Sequence, residues 1–310
     1  MNKLSKFAGR LAALAALVLS LLCAAAPAYA DPYSETSGPA DAPAAMIVVH
    51  GGGWVWTGAP IVQATRVFAQ RYADRMLTLN VDYRPGGPQG LEDVLGFYDR
   101  LRAQRGPDFP ICLSGESAGG QLAVMVAARR PDVACVVNEA GPVDLRAAAP
   151  ALTALINGAF QYDPAVIAAN DPMQQTAQMR APMLLAYTVG DPMVPVQEGR
   201  DFHAAYPNST LVELPSAAEV NHIHSQTSVA ALNAFHEQER GWVDQQVAAW
   251  RTQRSAATTP AVPAPAAAPA AAQQVKAPKA KAAPRKRSAK RQKRSAAKKH
   301  RSAKRTHRVR

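Results

Sequence analysis

Two glycine-rich runs carry residue types that could do acyl-transfer chemistry: His50-Gly51-Gly52-Gly53-Trp54 and Gly115-Glu116-Ser117-Ala118-Gly119-Gly120. Each directly follows a short apolar run that reads as a buried strand. In a Gly-x-Ser-x-Gly run the small flanking residues let the chain reverse sharply from strand to helix. The serine is then held in a strained conformation with its hydroxyl exposed above the sheet edge. Ser117 is that serine. The alternative, a glycine turn that merely lets a helix pack close to a strand, leaves the first run unexplained.

A serine hydroxyl is a weak nucleophile at neutral pH, so it needs a base in contact and a carboxylate to orient that base. In a sheet of this kind the order along the chain is Ser, then Asp or Glu, then His, each in a loop after a strand. Asp191, in Gly190-Asp191-Pro192, follows the apolar run 183–189 and is the candidate acid; Asp144, Asp163 and Asp171 precede that run and are weaker candidates. The base is expected in Asn221-His222-Ile223-His224. His222 is favoured because a polar run precedes it and an apolar residue follows, with His224 as the alternative. His203 and His236 fall within helical patterns and read as structural or solvent-facing. No metal is expected, since an i, i+2 histidine pair lacks a third ligand.

The charge developing in acyl transfer needs preorganised donors, and backbone amides serve because they cannot lose a proton or rotate away. Gly51 and Gly52 from the first run and Ala118 from the helix start are the expected oxyanion donors. His50 reads as a brace for that loop. Trp54 and Trp56 are expected to line the substrate pocket, with support of the loop as the competing role.

The elements that must position these groups alternate along the chain. Strands are expected at 45–49, 76–81, 110–114, 134–138, 183–189 and 210–214, and helices at 61–75, 91–105, 120–130, 197–206 and 229–250. A mixed helical segment at 145–180 reads as a short cap. Near-continuous Val/Ile/Leu strands alternating with helices imply an α/β fold with a mostly parallel sheet covered on both faces.

The 310 residues divide by composition. Lys3, Lys6 and Arg10 precede an apolar run from Leu11 to Leu22, and Ala28-Tyr29-Ala30 supplies a small-x-small cleavage site. Residues 1–30 therefore read as a signal peptide, which predicts a secreted or periplasmic protein with no membrane span once the signal is removed. Residues 31–251 form the expected catalytic domain. From Asp31 to Trp250 there are 13 arginines, no lysine and 23 carboxylates, so this body is acidic although the whole chain carries a formal charge of +12. An Ala/Pro-rich linker is expected at 252–275, followed by a disordered Lys/Arg-rich tail at 276–310. Cys112 and Cys135, both in strand-like apolar runs, read as small buried hydrophobes rather than as a disulfide framework.

On His50 to Trp54, Asp82-Tyr83-Arg84-Pro85, Gly115 to Gly120, Gly190 to Pro195 and Asn221-His222, the chain resembles the esterase/lipase branch of the α/β-hydrolase superfamily. The resemblance covers about 45–250 and implies carboxylic-ester hydrolysis without a cofactor. The family fold opens with one or two strands before the oxyanion strand. Residues 31–43 are short and polar, so the sheet is expected to lack that edge. These features together predict a serine carboxylesterase acting on short- to medium-chain acyl esters, small or polymeric. A peptidase of the same fold is the enzymatic alternative. A second function class rests on the tail, which would bind an anionic cell-surface polymer or lipid, or nucleic acid, by charge.

Overall fold

The structure is a computed structural model that describes residues 32–215 and 229–258. Seven strands form one sheet: β1 Ser34–Ser37, β2 Ala45–Val49, β3 Leu77–Val81, β4 Ile111–Glu116, β5 Cys135–Glu139, β6 Met183–Thr188 and β7 Ser209–Leu214. Their order across the sheet is β1-β3-β2-β4-β5-β6-β7. All pairings are parallel except β1 with β3, where Ser34 lies opposite Val81. The edge expected to be missing is therefore abbreviated: one four-residue antiparallel strand precedes β2 among the described residues.

Among the described residues the α-helices are α1 Ala59–Ala64, α2 Arg66–Gln70, α3 Gly87–Arg105, α4 Ala118–Arg129, α5 Pro150–Ala159, α6 Pro164–Ala169, α7 Val196–Ala205 and, after the last strand, α8 Val229–Thr258. The single helix expected over 61–75 is broken in two at Thr65, whose hydroxyl turns back onto the carbonyls of Ile61 and Val62. The cap is built from α5, α6 and a 3₁₀ turn at Pro172–Gln175, each opened by a proline. Proline suits the first helical position because the amide it lacks has no intrahelical acceptor there. The last helix runs through Thr258, so residues 252–258 of the expected linker are helical.

Alternation along the central strands separates two apolar layers. Ala45, Ile47 and Val49 of β2 face one layer with α3, α4 and α7, while Met46 and Val48 face the other with Tyr72 and with Phe235 and Val243 of α8. Both layers are buried, so the central strands read as continuous apolar runs rather than as period-two patterns.

Cys112 and Cys135 are direct partners across β4 and β5, with Cα atoms 4.6 Å apart, and they form a disulfide. The expectation of two unbridged cysteines is thus corrected. Composition alone does not reveal that register places the two thiols opposite each other within bonding range.

Candidate active site

The strand order reverses between β2 and β4: from β2 the chain goes to β3 on one side, then crosses to β4 on the other. Ligands in open α/β sheets bind beyond the carboxyl ends of the strands at such a point. Val49 lies opposite Gly115 there, so the two glycine-rich runs leave the sheet side by side.

Ser117 has φ 52° and ψ −124° at the junction of β4 and α4. A non-glycine residue held in that region costs about 1–3 kcal/mol and persists only where its surroundings enforce it. Close packing does so here. A β-carbon on Gly115 would lie 2.3 Å from the Gly119 carbonyl oxygen, and one on Gly119 would lie 2.1 Å from the Val49 oxygen. The Ser117 amide donates to the Glu139 carbonyl at 2.9 Å, which ties the turn to the end of β5. The side chain of Ser117 is half-buried.

Of the expected oxyanion donors, Gly51 lies against the turn, since a β-carbon there would be 3.2 Å from Ser117 Cβ. Gly52 follows it with φ 110°. Ala118 is the first residue of α4, where a backbone amide has no intrahelical acceptor. His50 braces the loop as expected. It is fully buried, its Nδ1 is 2.6 Å from the Gly51 oxygen, its Nε2 is 3.1 Å from Asp82 Oδ1, and its ring stacks on Tyr83 at 4.3 Å.

Trp54 does not line a pocket. It is fully buried at φ 62°, its indole N–H donates to Gln121 Oε1 at 2.9 Å, and it meets Phe160 edge-on at 5.3 Å. Gln121 in turn donates to the Asn170 carbonyl, so this indole joins the glycine loop to α4 and the cap. Trp56 is 59% exposed.

Asp191 follows β6 and is 4% exposed. It is no solvated turn aspartate: its Oδ1 accepts the amides of Met193 at 2.7 Å and Val194 at 3.1 Å. Asp163 and Asp171 instead cap the helical turns that follow them, and Asp144 caps the turn at 146–147. His203 contacts Ser209 Oγ at 2.8 Å on α7, and His236 lies beside Phe235 on α8. His222 and His224 lie outside the described residues.

The supporting groups are Asp82, Tyr83 and Gln121; Asp82-Tyr83 entered the family resemblance, but none of the three was assigned a role in the site from sequence. Asp82 also accepts the Gly58 amide, and the Tyr83 hydroxyl donates toward the His50 and Gly51 carbonyls. A signal existed for two of them, because Asp82-Tyr83 directly follows β3, the neighbour of the strand that feeds the glycine loop. A cavity of about 440 Å³ beside β1 is lined by Tyr33, Arg66 and Asn80 and includes none of these groups. Among the described residues no cluster of His, Cys, Asp or Glu could hold a metal ion, and no helix is long and apolar enough to cross a membrane.

Solved structures share this architecture. An esterase/lipase from an uncultured bacterium superposes with a TM-score of 0.54 at 18% identity, over 76% of this chain and 89% of that one. An esterase 2 of Thermogutta terrifontis, phosphonylated by sarin, gives 0.57 at 18% identity, over 71% and 91%. A puromycin-hydrolysing peptidase of Mycobacterium tuberculosis gives 0.56 at 16% identity, over 70% and 39%. No curated protein matches the chain in sequence. The profile of the alpha/beta hydrolase fold matches residues 46–208, a span that holds the glycine loop, the serine turn and Asp191, and the chain belongs to that family.

Proposed function

We propose that this chain is an exported serine carboxylesterase acting on short- to medium-chain acyl esters. The observation that carries the reading is the strained conformation of Ser117 at the sheet's switch point, with the glycine loop packed against it. Ser117 Oγ attacks the ester carbonyl as His222, or His224 in its place, takes the hydroxyl proton. Asp191 orients that imidazole, and the amides of Gly51, Gly52 and Ala118 take the oxyanion. The histidine then protonates the departing alcohol. Water, activated by the same base, hydrolyses the acyl-enzyme and restores Ser117. The short cap fits soluble or polymeric esters better than oil interfaces.

Phosphonylation of the Thermogutta esterase suggests the probe. The experiment combines a short-to-long series of p-nitrophenyl esters with fluorophosphonate labelling of the wild type and of Ser117→Ala, His222→Ala and His224→Ala. The expected result is hydrolysis that falls at least ~10³-fold without Ser117 and with loss of one histidine. A folded wild type that neither labels nor hydrolyses overturns the reading. The Mycobacterium neighbour favours a peptidase as the alternative, and faster turnover of aminoacyl anilides than of esters would select it.

Export is supported by the leader-like first 30 residues and by the Cys112–Cys135 disulfide, a bond that persists in oxidising compartments. The tail at 276–310 is proposed to hold the enzyme on an anionic cell-surface polymer or lipid through its charge. Binding to anionic vesicles or to teichoic-type polymer that survives high salt would overturn that assignment.

A further inference from the structure

Behind the serine turn, on the face of the sheet covered by α8, lies a buried ionic cluster that the proposed reaction does not use. Arg71 directly follows α2, and its side chain is 10% exposed. Its two terminal nitrogens reach two different elements. Nη2 donates to Glu139 Oε1 at 2.8 Å, and Nη1 donates to Glu239 Oε2 at 2.7 Å. Both carboxylates are buried, at 2% and 0% exposure. Tyr72 adds its hydroxyl to the other oxygen of Glu239 and lies 3.4 Å from Ser114 Oγ on β4. The Arg71 carbonyl accepts from Arg75 and from Arg240, Arg240 pairs with Asp74, and Arg75 pairs with Asp244.

Such a cluster is a poor source of stability, because well-packed apolar residues of the same volume usually do as well. Its geometry has a more specific consequence. Glu139 is the last residue of β5, its carbonyl accepts the Ser117 amide at 2.9 Å, and Ala140 after it turns to φ 42°. Clamping the Glu139 side chain therefore fixes the direction of the carbonyl that holds the strained serine.

We infer that Arg71 is a positioning residue for Ser117, acting through Glu139, and that Glu239 of α8 holds Arg71 in place for this purpose. The inference rests on the reading of Ser117 as the nucleophile. The planar fork of arginine is what spans two carboxylates at once; a lysine ammonium in its place reaches one. Misplacement of a reacting group by about 1 Å costs up to ~100-fold in rate.

The test uses the full chain with Arg71→Met and Arg71→Lys. It reads kcat and KM on p-nitrophenyl butyrate, the second-order rate of fluorophosphonate labelling at Ser117, and circular dichroism at the assay temperature. Arg71→Met is expected to lower kcat and the labelling rate by about 10–100-fold with KM within twofold. Arg71→Lys is expected to recover part of both. A merely structural role would lower the melting temperature and leave both rates of the folded protein unchanged, and that result overturns the inference. If Arg71→Met fails to fold, Arg71→Lys decides: wild-type kcat and labelling rate in that variant overturn it, and a several-fold loss of both supports it. A wild type that neither hydrolyses nor labels overturns the esterase reading itself and this inference with it.

Discussion

The two faces of the sheet hold their helices by different physics. On one face α4 packs with every residue from Ala118 to Ala128 buried, and Gly119 and Gly120 bring its first turn into contact with β2 and β5. On the other, α8 meets the sheet through Phe235 and Val243 and through the Arg71–Glu239–Glu139 cluster, whose members lie 68 and 168 residues apart in the chain. The first arrangement follows from a few consecutive residues whose missing β-carbons let α4 approach the strands this closely. The second depends on long-range partners that no local pattern announces. The candidate nucleophile is held from both sides: its conformation by the glycine face, its amide by a residue of the ionic face.

The largest effect separating the two is expected from Gly119→Ala. The added β-carbon would lie 2.1 Å from the Val49 oxygen and 2.4 Å from the His50 oxygen, and both are backbone atoms that cannot rotate away. Either α4 or the glycine loop must move. We expect a loss of about 3 kcal/mol of stability, read by urea unfolding, together with loss of esterase activity in the fraction that remains folded. Full activity at wild-type stability would mean that the turn is not held by this contact. Gly106→Ala is the control, because a β-carbon there meets nothing within 4 Å, and its left-handed φ alone limits the effect to backbone strain.

A similar effect on stability, but none on chemistry, is expected from the disulfide on the ionic face. Cys112 and Cys135 are 23 residues apart, and a bridge closing a loop of that length contributes about 3 kcal/mol in the chain-entropy view, with engineered cases often giving less. Cys112→Ala with Cys135→Ala should lower the melting temperature by ~5–10 °C. The kcat of the folded variant should match wild type, because the bridge lies four residues before the end of β4 and remote from the turn. A fall in kcat without a fall in melting temperature would reverse this assignment and make the bridge part of the site's support.

The same division explains what was legible in the sequence. The strand ends, the serine turn and the position of Asp191 were readable because each is announced by neighbours within a few residues; His50 was readable from its place in the glycine run, although its bracing partners Asp82 and Tyr83 lie 32 and 33 residues on. The disulfide was misread because it depends on register between β4 and β5. The pocket role expected of Trp54 fails because its partners, Gln121 and Phe160, come from α4, 67 residues on, and from the cap. The edge strand β1 was missed because Ser34-Glu35-Thr36-Ser37 has no apolar pattern; it pairs through its backbone and through the Glu35–Arg66 ion pair. Nothing in local spacing could have singled out Arg71, which lies near the end of an unexceptional amphipathic stretch.

The smallest effect sharpens the comparison by pH. The apolar face also buries a carboxylate, Glu198 at the start of α7, but no arginine pairs with it among the described residues. Its Oε2 accepts the amides of Val143 at 3.2 Å and Asp144 at 3.4 Å. Burial, with the charges of Asp144 and Asp171 adding to it, pushes Glu198 up to about 7, against those two amides, which favour the ionised form. Asp171, also buried, is pushed up to about 6 by desolvation and by Asp144, with Arg146 opposing. A carboxyl whose folded pKa lies above its unfolded one binds its proton more tightly in the folded state. Its contribution is therefore complete below the unfolded value and is lost as pH rises through the folded one. Melting temperature should accordingly fall between about pH 4.5 and pH 7–8, by a few degrees for a loss of ~1–2 kcal/mol in a domain of this size. Glu198→Gln keeps an acceptor for both amides and cannot ionise, so its melting temperature should depend less on pH over that window and exceed wild type at pH 8. An unchanged slope would show that Glu198 is charged in the folded protein at all these pH values, and that the apolar face tolerates a buried carboxylate on backbone amides alone.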